Sequence, residues 1–112
     1  MKYFTLVFTL VFLPVLNIKA QDDSLRTAFW AAKEPDERLR LAYEISKPLV
    51  TSHPDSLETY LFSALKDSAS AGNSKHLASC LNLAAVHCYY KGKYDSMVHY
   101  ARRATMVYVA LN

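Results

Sequence analysis

From residue 24 onward the apolar positions recur every three or four residues, in blocks separated by short breaks carrying Pro, Gly, Ser or Asn. A helix turns once every 3.6 residues, so this spacing gathers the apolar side chains on one helical face. The first block is short. Leu25, Ala28, Phe29 and Ala32 share a face, and Ser24 stands where an N-cap is expected. Lys33-Glu34-Pro35 breaks it. Pro35 suits the first position of the next helix, where its missing N–H has no partner to lose. Asp36 and Glu37 favour the positive end of that helix's dipole. The helix then shows Leu39, Ala42, Tyr43, Leu49 and Val50 on one stripe and Leu41 and Ile45 on a second, and Pro48 should end or kink it.

After the turn Thr51-Ser52-His53, Pro54 opens a third helix with Leu57, Tyr60, Leu61, Ala64 and Leu65 at i, i+3, i+4, i+7 and i+8. Ala71-Gly72-Asn73-Ser74 stops it and caps the next. Residues 74–91 are apolar on two faces. Leu77, Cys80, Leu81, Ala84, Ala85 and Cys88 make one stripe, and Leu83, Val86 and Tyr90 the other. Such a helix is expected between neighbours, with its small residues letting them approach closely. Ala85 in particular predicts a tight crossing. Gly92 suits the left-handed position that ends a helix. A last helix carries Tyr94, Met97, Val98, Ala101, Ala104, Thr105 and Tyr108 on one face. It ends in the uncharged run Met106 to Leu111. That run is wider than one stripe, so Val107, Tyr108 and Leu111 are candidate interface residues.

The blocks repeat. Asp55, Ser56, Tyr60 and Ala64 match Asp95, Ser96, Tyr100 and Ala104 at an offset of 40, and Leu57 matches Met97. The expected units are about residues 36–70 and 74–110, each a helix pair held antiparallel by its short turn. Repetition at a fixed period predicts stacked pairs instead of one closed core.

These residues resemble the tetratricopeptide repeat family, whose usual period is about 34 residues. The second unit carries the likeness. Ala85, Tyr89, Gly92 and Tyr94 fill the family's small, aromatic and turn positions, and Tyr100 and Ala104 fit its second helix. Met97 stands where Ala is usual, Cys88 where an aromatic is usual, and the closing Pro is absent. In the first unit Leu57, Tyr60 and Ala64 fit, whereas Ser52 replaces the turn Gly. The resemblance implies an all-α, right-handed stack of antiparallel helix pairs. It would be a short solenoid of about five helices, packed through Leu57, Tyr60, Ala64, Leu81, Ala85, Gly92, Tyr94, Met97, Tyr100 and Ala104. It is similar to the extracytoplasmic repeat regions of bacterial membrane-bound sensor regulators, so a truncated sensor is one expectation.

The N-terminus changes the charge picture. Lys2, the apolar run from Tyr3 to Leu16 and Ala20 before Gln21 read as a secretory signal peptide over residues 1–20. The expected mature domain, 21–112, is exported to a periplasmic or extracellular space, and touches a membrane only if that segment is uncleaved. The formal charge of +3 for the whole chain becomes +1 for the mature chain, with 11 basic residues against 10 acidic ones. That balance gives no support to nucleic-acid binding.

Little chemistry suggests itself. His76 and Cys80 share a face and His87 and Cys88 lie further along, but four ligands cannot converge from one straight helix. The expectation is buried cysteines, surface histidines and no metal. Cys80 and Cys88 would stand about 12 Å apart on one helix, beyond disulfide reach. Cys80 lies on an apolar stripe, which disfavours a thiolate nucleophile. Asp55-Ser56 and Asp95-Ser96 read as helix-start residues that cap and match the dipole. Lys91, Lys93, Arg102 and Arg103 read as a solvated basic face. The expected function is a non-catalytic exported interaction or scaffold module with no cofactor and no catalytic residue. Its partner would be a protein or peptide, or a second copy through the C-terminal helix. A sensory input fragment and a small thiol- or metal-dependent enzyme are the competing readings.

Overall fold

The computed structural model describes residues 23–112, and the expected signal peptide lies outside them. The described chain is all-α. A first helix, α1, covers residues 23–31. It is followed by α2 (Pro35–Ser46), α3 (Pro54–Asp67), α4 (Lys75–Tyr90) and α5 (Tyr94–Leu111). Single 3-10 turns at Lys47–Leu49 and Ser68–Ser70 continue α2 and α3. None of the described helices is long and apolar enough to cross a membrane.

The helix starts follow local chemistry. Pro35 and Pro54 occupy the first turns of α2 and α3, followed by Asp36 and Glu37 in α2 and by Asp55 in α3. Ser74 caps α4, its hydroxyl accepting the Leu77 N–H at 3.1 Å. Gly72 and Gly92 take left-handed φ values of +69° and +74° at the ends of the α3 and α4 segments. Pro48 acts as expected, turning the end of α2 into a 3-10 turn. Ser52, which stands where the second unit has Gly92, adopts no left-handed φ, so the first unit turns by a longer path. Two expectations fail. Ser24 lies inside α1 instead of capping it. Asp55 and Asp95 do sit in the first turns of α3 and α5, but neither helix has a side-chain cap bond, so these pairs match the dipole without capping.

The 40-residue step recurs in the helix starts. Pro35 and Lys75 start α2 and α4, Pro54 and Tyr94 start α3 and α5, and both steps are 40 residues. Packing follows the same grouping: α2 pairs with α3, α4 lies against both, and α5 pairs with α4. Leu39, Ala42, Ile45, Leu57, Leu61, Ala64, Ala78, Cys80, Leu81 and Ala84 close the core between α2, α3 and α4. α1 docks at the opposite edge through Phe29, which is fully buried and meets Tyr60 edge-on with ring centroids 5.3 Å apart. Arg38 fastens this junction. Its guanidinium lies 4.4 Å from the Phe29 ring centroid, donates to the Phe29 and Ala32 carbonyls at the end of α1, and donates to Ser63 Oγ on α3 at 3.1 Å. A cation over an aromatic face that also satisfies terminal carbonyls is a favourable join between helices.

Candidate functional site

The last helix pair carries the feature that distinguishes the surface. α5 touches α4 along one side only. Its buried residues are Ala104 and Val107, with Tyr100 half-buried beside them. The expected face of Tyr94, Met97, Val98, Ala101, Ala104, Thr105 and Tyr108 is therefore rotated from the true one. Tyr94, Val98, Ala101, Thr105 and Tyr108 are exposed, and Met97 is half-buried. The second stripe of α4 shares this fate: Leu83 is buried, but Val86, Tyr89 and Tyr90 are exposed. Apolar residues on two faces of α4 predict a helix enclosed by neighbours on both, and only one of the two is so enclosed. The extra apolar residues instead line an open groove of about 780 Å³ between α4 and α5.

Ala85, Val86, Tyr89 and Tyr90 of α4 and Met97, Ala101 and Met106 of α5 line the groove, and Arg102 is the one charged side chain in its lining. Arg102 has no ion-pair partner among the described residues. Tyr89 packs against Tyr90 and Tyr94, with ring centroids 5.6 and 6.3 Å apart, which stiffens one end. Such a surface holds an apolar ligand through dispersion and water release, with a single charge to set orientation.

Of the residues singled out by their pattern, Leu57, Ala64, Leu81, Ala85 and Ala104 are buried, Tyr60, Met97 and Tyr100 half-buried, and Gly92 and Tyr94 exposed. Val107 is corrected. It is 7% exposed and packs toward α4, so it cannot face a partner. Tyr108 and Leu111 are exposed at 45% and 44%, and the most exposed apolar residues of the run are Met106 and Val109. Ala85 is buried as expected of a packing residue, yet it lines the groove and stands outside the main core, whereas Ala84 is wholly enclosed.

Among the described residues the buried polar groups tie helices to one another. Cys80 and Cys88 are both free and buried. The Cys80 thiol donates to the Leu39 carbonyl at 3.1 Å, tying α4 to α2. Burial, helped by the Asp36 carboxylate, pushes this thiol up to about 12, so it stays protonated at neutral pH. Burial also raises Cys88. His87 is not a surface residue: it is 3% exposed, its Nε2 lies 2.9 Å from Glu58 on α3, and its ring meets Phe62 at 5.9 Å. Lys91 approaches Asp55 and Glu58 at 3.5 and 3.7 Å. These contacts join α4 to α3 across the unit boundary. No group of three or more His, Cys, Asp or Glu placed to hold a metal occurs among the described residues. Comparison with family models, curated proteins and solved structures finds no match to this chain.

Proposed function

We propose that this protein is a non-catalytic, exported interaction module of the tetratricopeptide type, a short right-handed solenoid whose recognition surface is the α4–α5 groove. The observation that carries this reading is the groove itself, an open apolar channel between α4 and α5 in a chain whose helix starts recur at a step of 40 residues. An uncovered apolar surface of this kind costs solubility unless something covers it. Support for a non-catalytic role comes from the thiols, both buried and both shifted upward by that burial, which disfavours a thiolate. Export rests on the N-terminal pattern and adds a definite expectation: intact-mass measurement of the secreted protein should give a chain beginning at Gln21, and retention of Met1 would contradict it.

The interaction reading is tested by substituting the groove. Val98→Lys and Met106→Lys replace exposed residues and should leave the helical circular-dichroism signal unchanged. The unsubstituted protein should bind a hydrophobic dye at micromolar concentration or scatter light as an oligomer, and both variants should lose that property. A monomer that binds no dye before substitution would overturn the assignment.

A further inference from the structure

The 40-residue period identifies what the groove is shaped to receive. Shifting the lining positions back by 40 lands on α2, the turn after it and α3, and the following five fall on residues buried there or in contact with α4, whereas Met106 falls on exposed Lys66. Val86 corresponds to Ser46, Met97 to Leu57, Ala101 to Leu61, Val98 to Glu58 and Arg102 to Phe62. In the first unit Ser46, Leu57 and Leu61 are fully buried, and Glu58 and Phe62 contact His87 of α4. In the second unit the same positions form the open groove. The groove is thus the repeat of an interface that α4 already fills one unit earlier, and a helix has a defined place in it.

The charges change between the two seats. The first presents the Glu58 carboxylate, met by His87 of α4 and by Lys91 just past its end. In the second, the carboxylate is replaced by Val98, and the cation Arg102 takes the place of Phe62. A helix docked in the α4 position would bring the residue equivalent to His87 beside Arg102. Its best complement there is a carboxylate, since a cation facing an apolar seat is stabilised by an opposite charge as water leaves.

Resting on the repeat reading above, we propose that the α4–α5 groove docks an amphipathic α-helix of a partner protein in the manner of α4. That helix would carry apolar and small residues at i, i+3, i+4 and i+7, and an Asp or Glu opposite Arg102. Binding of this kind reuses helix-in-groove recognition.

The probe is a labelled peptide of residues 74–91 of this chain carrying His87→Glu, titrated under reducing conditions into the purified protein and followed by fluorescence anisotropy. The expected result is saturable binding that weakens on the order of tenfold in Ala101→Glu, whose charge in the groove lining the docked peptide would bury. Arg102→Glu should weaken it at least about fivefold, and a peptide with His87→Lys should then bind that variant better than the unsubstituted protein. Both substituted positions are exposed, and circular dichroism checks that the variants stay folded. Absence of binding, or binding indifferent to both variants, overturns the proposal. So does a dimer that Ala101→Glu dissociates and the peptide does not, which would make a second copy the occupant. If a third repeat unit appended to the chain stabilises it while the peptide does not bind, the repeat reading stands and the partner helix alone falls.

Discussion

Two adjacent alanines on α4 separate a closed helix face from an open one. Ala84 is fully buried within the core shared by α2, α3 and α4. Ala85 is 6% exposed but borders the α4–α5 groove. Leucine replaces a methyl group by an isobutyl group at either position. At Ala84 no space receives it, so the neighbouring helices must shift, at a cost of about 1–3 kcal/mol. For a domain of this size each kcal/mol lowers the melting temperature by about 4–8 °C. Ala84→Leu should therefore lower Tm by about 5–20 °C. At Ala85 the longer side chain can turn into the groove, where it covers apolar surface, and the change should stay within about 0.5 kcal/mol. Thermal unfolding followed at 222 nm on both variants decides the matter. An Ala85→Leu loss equal to or larger than that of Ala84→Leu would refute both the register of α4 and the openness of the groove.

Three further outcomes follow from the packing. Glu58→Ala removes the carboxylate from buried His87 and should cost about 1–3 kcal/mol in urea unfolding, because a polar ring is left enclosed without its partner; an unchanged midpoint would mean the pair is not formed. The folded Cys80 pKa is raised to about 12 from an ordinary value near 9, so its stabilising contribution is complete below pH 9 and is lost as pH rises toward 12. Unfolding midpoints should accordingly fall more steeply over that range for the natural protein than for Cys80→Ala, and parallel curves would contradict this. Gly92→Ala forces a side chain into φ +74° and should cost about 1–2 kcal/mol although the space around it is open; no change in Tm would argue against the left-handed turn.

Much of the helical frame was legible in the residues because the chain marks its own boundaries. Pro35, Pro54, Ser74 and Gly92 are local signals, and each acts within a turn of where it stands. The buried face of α3 was legible for a related reason: it has one narrow apolar stripe, and Leu57, Leu61 and Ala64 are buried along it. α5 was misread because it is apolar around most of its circumference. Periodicity reports where apolar residues lie and not which of them have a neighbour, so Val98 and Ala101 looked as buried as Ala104. The Glu58–His87 pair joins residues 29 apart, and Arg38 reaches back nine to Phe29 and forward 25 to Ser63. Contacts at such separations carry no mark in a one-dimensional pattern. Arg38 also had no apolar character to place it at a junction, although its guanidinium joins three helices there.

The claim on which the account rests is that α2–α3 and α4–α5 are successive units of one array, with the groove shaped to seat a further helix. It is tested most directly by duplicating residues 72–111 after Leu111, which keeps the step at 40 residues and offers a second copy of α4 to the groove. In an array of nearest-neighbour units each added interface contributes stability. The account predicts one cooperative transition at a higher Tm, with slower amide exchange along α5. Either an unchanged Tm with the original α5 exchange rates, or a separate low-temperature transition for the added segment, would contradict it.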